Sequence, residues 1–165
     1  MQVELRKAEE QDLPFILPLY AQLGLDNGQI LPLEPARIIF ASMRDYPDYQ
    51  LYVAMVQGEI VGVFALLIMD NLGHLGAPSG VVEGVVVRED WRRQGIGQKM
   101  MGFAMEYCKS RGCYKLALSS NLQREEAHRF YERLGFRKHG YSFVVELSPY
   151  ARSLAKTRTG TMVLR

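Results

Sequence analysis

The stretch Arg92-Arg93-Gln94-Gly95-Ile96-Gly97 has the residue types and spacing of an anion site. It joins an apolar run, Val81 to Val87, to a helical pattern that begins near Gly97. A buried strand that feeds a helix through a Gly-rich turn leaves the first helical N–H groups without partners, and the helix dipole adds partial positive charge there. Gly95 and Gly97 let backbone and ligand approach closely, and Arg92 and Arg93 add permanent charge. A dinucleotide fingerprint would need a third glycine where Met100 stands. A P-loop would need Gly-Lys-Ser/Thr where the chain reads Gly97-Gln98-Lys99-Met100, so neither nucleotide motif fits.

Further groups flank this turn. Glu83 is a lone acid in the apolar run Val81-Val82-Glu83-Gly84-Val85-Val86-Val87. A carboxylate there is costly unless it is partnered or faces a cleft. Partial burial would make it a better proton acceptor, while an edge position would pair it with an arginine. Gly84 beside it marks an expected bulge. The segment Asn121 to Phe136 reads NLQREEAHRFYERLGF, with Ala127, Phe130 and Leu134 at helical spacing and Gly135 as the stop. Tyr131 lies one position off that stripe. Asn121 is suited to cap the helix or to contact a ligand. Arg124, Arg129 and Arg133 alternate with Glu125, Glu126 and Glu132, which predicts a solvated charged face.

Arg92-x-x-Gly95-x-Gly97 after a strand ending Val-Val-Val, followed by Asn121 and a helix ending Phe130-Tyr131-x-x-x-Gly135-Phe136, resembles the GCN5-related N-acetyltransferase family. The resemblance spans roughly Val82 to Phe136. It implies an α/β fold with a central mixed sheet, helices on both faces, and strands four and five splayed apart around coenzyme A. Those strands would be Gly80 to Val87 and Tyr114 to Ser119. The implied activity moves an acetyl group from acetyl-CoA to a primary amine by direct attack. The implied pyrophosphate site is Arg92, Arg93, Gln94, Gly95, Ile96, Gly97 and Gln98. The main chain of Val85, Val86 and Val87 would hold the pantetheine arm, and an N–H near Val85 would polarise the thioester carbonyl. Asn121 would add a cofactor contact. Tyr131 would be the general acid, since a phenol of pKa ~10 suits protonation of a thiolate. Glu83 would be the base. The expected acceptor is a small-molecule amine. A non-catalytic acyl-CoA sensor and a protein or peptide N-acetyltransferase are the competing readings.

Composition bounds these readings. With 165 residues, 48% apolar and 23% charged, the chain reads as one ordinary globular domain. The expected division is residues 1–147 as the domain and 148–165 as a basic tail. That tail holds Arg152, Lys156, Arg158 and Arg165 and no acid, so the body carries the acidic excess despite a net charge of +2. The body is therefore not a nucleic-acid surface. No apolar run approaches the ~20 residues that span a membrane, and the charged start MQVELRKAEEQD is no signal peptide. Cytoplasmic residence is the default, with a homodimer as the expected assembly. Cys108 and Cys113, with His74, His128 and His139, have no metal-ligand spacing, so no metal is expected.

The elements that must position these groups follow from periodicity. Strands are expected at Val3 to Ala8, Leu51 to Val56, Ile60 to Met69, Gly80 to Val87 and Tyr114 to Ser119. Closing strands are expected at Phe136 to His139 and Tyr141 to Leu147. Helices are expected at Glu9 to Leu23, Pro35 to Arg44, Gly97 to Arg111 and Gln123 to Leu134, with Pro18 able to kink the first. The acceptor side is expected between Gly24 to Leu33, the loop Asn71 to Ser79 and the region near Tyr141.

Overall fold

A computed structural model describes residues 1–24 and 28–145 of the chain. The elements run β1 (Glu4–Lys7), α1 (Leu13–Ala21), α2 (Leu33–Met43), β2 (Tyr49–Val56), β3 (Glu59–Met69), β4 (Ser79–Val87), α3 (Ile96–Ser110), β5 (Lys115–Leu118) and α4 (Glu125–Arg133). The strands form one sheet in the order β1-β2-β3-β4-β5. All neighbours are antiparallel except β4 and β5, which are parallel and need the α3 crossover between them. Pro18 sits inside α1 without ending it.

The sheet is covered on both faces, as its apolar strands require. On one face Ile96, Met100, Met101, Ala104 and Cys108 of α3 pack on Tyr52, Phe64, Leu66 and Val82. These α3 positions recur at helical spacing, so one stripe of the helix is fully buried. On the other face Leu13, Ile16 and Leu19 of α1, with Ala36 and Phe40 of α2, cover Leu51, Val53, Val63, Ala65 and Val86. Cys108 is a core thiol. Its sulfur lies where a Cβ on Gly80 would overlap it, and burial pushes the thiol up to about 12. At such a value it is an inert apolar group.

The expected closing strands are not formed among the described residues. From Phe136 to Val145 there is no ladder, and residues 146 and 147 of the second strand lie outside the description. Tyr141 and Phe143 are each 92% exposed, so their apolar side chains have no packing surface. Alternation there signalled a strand, but a strand needs a partner edge, and local pattern cannot supply one. The basic tail, 148–165, also lies outside the described residues.

A buried ion pair fastens the entry to α1. Arg6 of β1 donates to both carboxylate oxygens of Asp12, at 2.6 and 2.9 Å. The Glu9 N–H donates to the same carboxylate at 2.7 Å. Asp12 is buried although charged, and the Arg6 hydrogen bond holds its carboxyl below the usual aspartate range. A depressed carboxyl stabilises the fold above its ordinary range, and the gain is lost as pH falls through the lowered folded value. Asp12→Asn should therefore cost about 2 kcal/mol at pH 7. The gap from wild type should narrow below about pH 4. Urea titrations at pH 7 and pH 3 test this; a gap of equal size at both would show that the charge is not what stabilises.

Candidate functional site

The β4–β5 ladder is short. It pairs Ser79 with Lys115, Gly80 with Leu116, Val81 with Ala117 and Val82 with Leu118, then stops. The rest of β4, from Glu83 to Val87, has no partner on that side, although its other edge stays paired with β3. A slot thus opens between the parallel strands, and their main-chain groups border it.

A bulge lies at the mouth of the slot. Ala65 of β3 pairs with Glu83 and Val63 pairs with Val86, so Phe64 alone spans Gly84 and Val85. Gly84 has φ 59, a left-handed conformation that a side chain would strain. The extra residue advances the strand's phase. Val82, Val85 and Val87 pack with the α3 cluster, while Val86 joins the α1–α2 cluster. Glu83 shares that second face through its partner Ala65. The bulge expected at Gly84 is present.

Glu83 departs from expectation in its surroundings. It is exposed and has no ion pair or hydrogen bond among the described residues. Neither the expected partial burial nor the expected arginine partner is found. Strand sequence suggested both because its neighbours are valines, but Glu83, paired with Ala65 on the α1–α2 face, stands exposed there.

Beyond β4, the turn is built for an anion. Arg93 has φ 60 and Gly95 has φ 81, so left-handed residues alternate with ordinary ones and point successive N–H groups the same way. None of the N–H groups from Arg93 to Gln98 donates to another of the described residues. A Cβ on Gly95 would meet nothing within 4 Å, so this position is open to a ligand. α3 starts at Ile96 and aims its N-terminus here. The two arginines divide. Arg92 turns back and donates through Nε to the Val87 carbonyl at 3.1 Å, which braces the turn. Arg93 keeps an exposed, uncommitted guanidinium.

α4 closes the slot from the α3 side. Phe130 packs against Gly97, where a Cβ would lie 3.1 Å from its ring. Tyr131 stands beside Phe130 and Phe136, with ring centroids 5.1 and 5.7 Å away. It joins the apolar cluster that also holds Val85 and Val87. Burial raises the Tyr131 phenol above its ordinary value, and the Arg124 cation opposes that rise. The phenol is thus held protonated, beside a cation that would stabilise its phenolate. Asn121 takes the structural role: its Oδ1 accepts from the Gln123 N–H at 2.9 Å, and its carbonyl lies 2.9 Å from His128 Nε2.

The mixed sheet split between its parallel strands and the turn with free N–H groups can be set beside known proteins. The chain matches the Acetyltransferase (GNAT) family over residues 17–136. It belongs to that family. Its members are acetyl-CoA-dependent N-acetyltransferases, and so is this enzyme. Glucosamine 6-phosphate N-acetyltransferase of Trypanosoma brucei brucei is 34% identical over 83% of this chain and 90% of its own length. Aminoalkylphosphonate N-acetyltransferase of Salmonella typhimurium is 31% identical over 87% of this chain and 91% of its own length. A putative acetyltransferase from Agrobacterium tumefaciens superposes with a TM-score of 0.82 at 32% identity, covering 87% of this chain and 99% of the other. No helix among the described residues is long and apolar enough to cross a membrane.

The acetyltransferase slot also contains a residue that sequence reading passed over. If the β4–β5 register ran on, Ser120 would stand opposite Gly84. Its Oγ is buried, and among the described residues it has no hydrogen-bond partner. In sequence, Ser119-Ser120-Asn121 looks like turn chemistry, and nothing marks one hydroxyl as stranded. Leaving a buried hydroxyl unpaired costs about 1 kcal/mol or more. Ser120→Ala should therefore raise the melting temperature of the unliganded enzyme by about 2–4 °C. A fall on thermal unfolding would mean that the hydroxyl is satisfied.

Proposed function

We propose that the enzyme carries an acetyl group from acetyl-CoA to the primary amine of a small molecule by direct attack. The observation that supports this best is the parallel ladder that stops at Val82 and Leu118, with a bulge and then a turn of free N–H groups directly beyond it. Each part meets a need of the reaction. The N–H groups of Arg93, Gln94, Gly95, Ile96, Gly97 and Gln98 receive the pyrophosphate, helped by the helix dipole and by Arg93. Arg92 holds the turn in shape. The unpaired main chain of Val85, Val86 and Val87 bonds the amide-bearing arm as an added strand would. An N–H near Val85 polarises the thioester carbonyl. Asn121 keeps its side-chain amide for the arm while its oxygen serves the turn.

Two side chains manage the protons. Glu83, on the open face, takes the first proton from the incoming ammonium, through water where distance requires it. The neutral nitrogen attacks the thioester carbon, so an N–C bond forms and the C–S bond breaks. Tyr131 donates its proton to the departing sulfur. The second proton on nitrogen returns to the Tyr131 phenolate through solvent, and Glu83 releases its proton to water, which restores the starting state.

Gly95→Asp tests the anion site. Aspartate tolerates left-handed φ better than most residues, and this position is sterically open, so the fold should survive. Its carboxylate would face the pyrophosphate, and Kd for acetyl-CoA should rise at least about tenfold. Unchanged affinity by calorimetry removes this placement of the donor.

Tyr131→Phe tests the acid. Kd for acetyl-CoA should hold while kcat falls by ~10- to 1000-fold. The loss should shrink with an acyl donor whose leaving thiol is more acidic. An equal loss with both donors would assign Tyr131 to positioning.

A further inference from the structure

On the α1–α2 side of the bulge, tyrosines gather around Glu83. Tyr20, in the last turn of α1, lies against Gly84: a Cβ there would be 2.9 Å from Tyr20 Cε1 and 3.4 Å from its hydroxyl. Tyr49 opens β2 two residues before Leu51, and Leu51 pairs with Ala65, which pairs with Glu83. Tyr46 meets Tyr49 edge-on, with centroids 6.1 Å apart and planes at 87°. Among the described residues, neither Tyr20 nor Tyr49 forms a hydrogen bond through its hydroxyl, and Glu83 is unpaired.

The charges acting on this wall carry one sign. Burial raises the Tyr20 phenol, and after burial only Tyr49 contributes. Burial also raises Tyr49, followed by the negative charge of Glu83 and then by Tyr46. No lysine or arginine among the described residues contributes to either. Among the described residues the wall thus offers aromatic faces, the unpaired hydroxyls of Tyr20 and Tyr49 and one carboxylate, with no cation acting on those two phenols.

Those groups discriminate among amines. Ring faces attract an ammonium and cover the C–H face of a sugar or short carbon chain. The phenol hydroxyls can exchange hydrogen bonds with hydroxyls of a ligand. Glu83 attracts the ammonium whose proton it then takes. A phosphate on the same acceptor would meet Glu83 with no cation to offset it, and an unmatched charge of that kind is how a site rejects a near-identical ligand.

We propose that Tyr20, Tyr46, Tyr49 and Glu83 form the acceptor subsite, and that it takes an amine on an uncharged, hydroxyl-bearing body in preference to the phosphorylated counterpart. This rests on the acetyl-transfer reading and adds the class of acceptor. It sets the enzyme apart from the relatives named for a sugar phosphate and a phosphonate.

The test uses matched acceptors with acetyl-CoA: glucosamine against glucosamine 6-phosphate, and 2-aminoethanol against 2-aminoethylphosphonate. Thiol release gives kcat/KM, and calorimetry gives acceptor binding in parallel. In both pairs the member without phosphorus should lead by about tenfold or more, the scale of one mismatched group in a pocket. Equal or reversed preference overturns the proposal. Tyr49→Arg should move the ratio at least about fivefold toward the phosphorus-bearing member, because it supplies the missing cation. A ratio compares two acceptors in one variant, so partial loss of folding cancels. A ratio unmoved by Tyr49→Arg overturns the location. Wild type that binds glucosamine over its 6-phosphate yet releases no thiol with any amine would sustain the subsite and overturn acetyl transfer. Absence of any binding preference would overturn the subsite.

Discussion

Phe64 faces two residues of β4, Gly84 and Val85, where a regular ladder would set one. A bulge bends its strand and increases the local twist, and here the β4–β5 ladder ends directly before it, at Val82. The bent half of β4 leaves its parallel neighbour while keeping its antiparallel one. That asymmetry creates a slot without breaking the sheet. It also sets the phase of every later side chain, so Val85 and Val87 reach the α3 cluster while Val86 faces α1 and α2, as Glu83 does before the bulge. Tyr20 closes against Gly84 at a distance that leaves no room for a side chain. Glycine is required twice over there, by φ and by contact.

Around the slot, rigidity and unsatisfied polarity are placed side by side. α3 is locked to the sheet through Ile96, Met100, Met101, Ala104 and Cys108, all buried. Its N-terminal N–H groups and those of the preceding turn have no acceptor among the described residues. A fixed helix with free donors binds an anion without first having to order itself, which lowers the entropic cost of association. Arg92 contributes by bonding the Val87 carbonyl, which ties turn to strand. The buried hydroxyl of Ser120 extends the same condition to the β5 side of the slot.

The sheet places Tyr131 and Glu83 on opposite faces. Tyr131 lies on the α3 side among Phe130, Phe136 and the valines, where burial keeps the phenol protonated. Glu83 lies on the other face, exposed and beside Tyr49. Burial disfavours the Tyr131 phenolate, while Glu83 stands exposed to solvent on the opposite face. The reaction centre would then lie at the bulge, where the two faces communicate through the slot.

The helices, the five strands and the Gly turn that opens α3 were legible in the sequence because each is a local pattern. Burial every third or fourth residue marks α3, alternating and continuous apolar runs mark β2 to β4, and a strand followed by Gly95 and Gly97 marks the turn. Gly84 announced the bulge because few residues tolerate its backbone conformation. Three things were decided only by the tertiary structure. The segment from Phe136 to Val145 alternates like a strand, yet a strand exists only where another edge accepts it. Glu83 looked embedded among valines, but its exposure depends on how the register with Ala65 places it against the α1–α2 layer. The gathering of Tyr20, Tyr46 and Tyr49 around Glu83, and the stranding of the Ser120 hydroxyl beyond the end of β5, depend on separate elements. No spacing along the chain encodes those distances, because they come from how α1 and β5 pack against one bent strand.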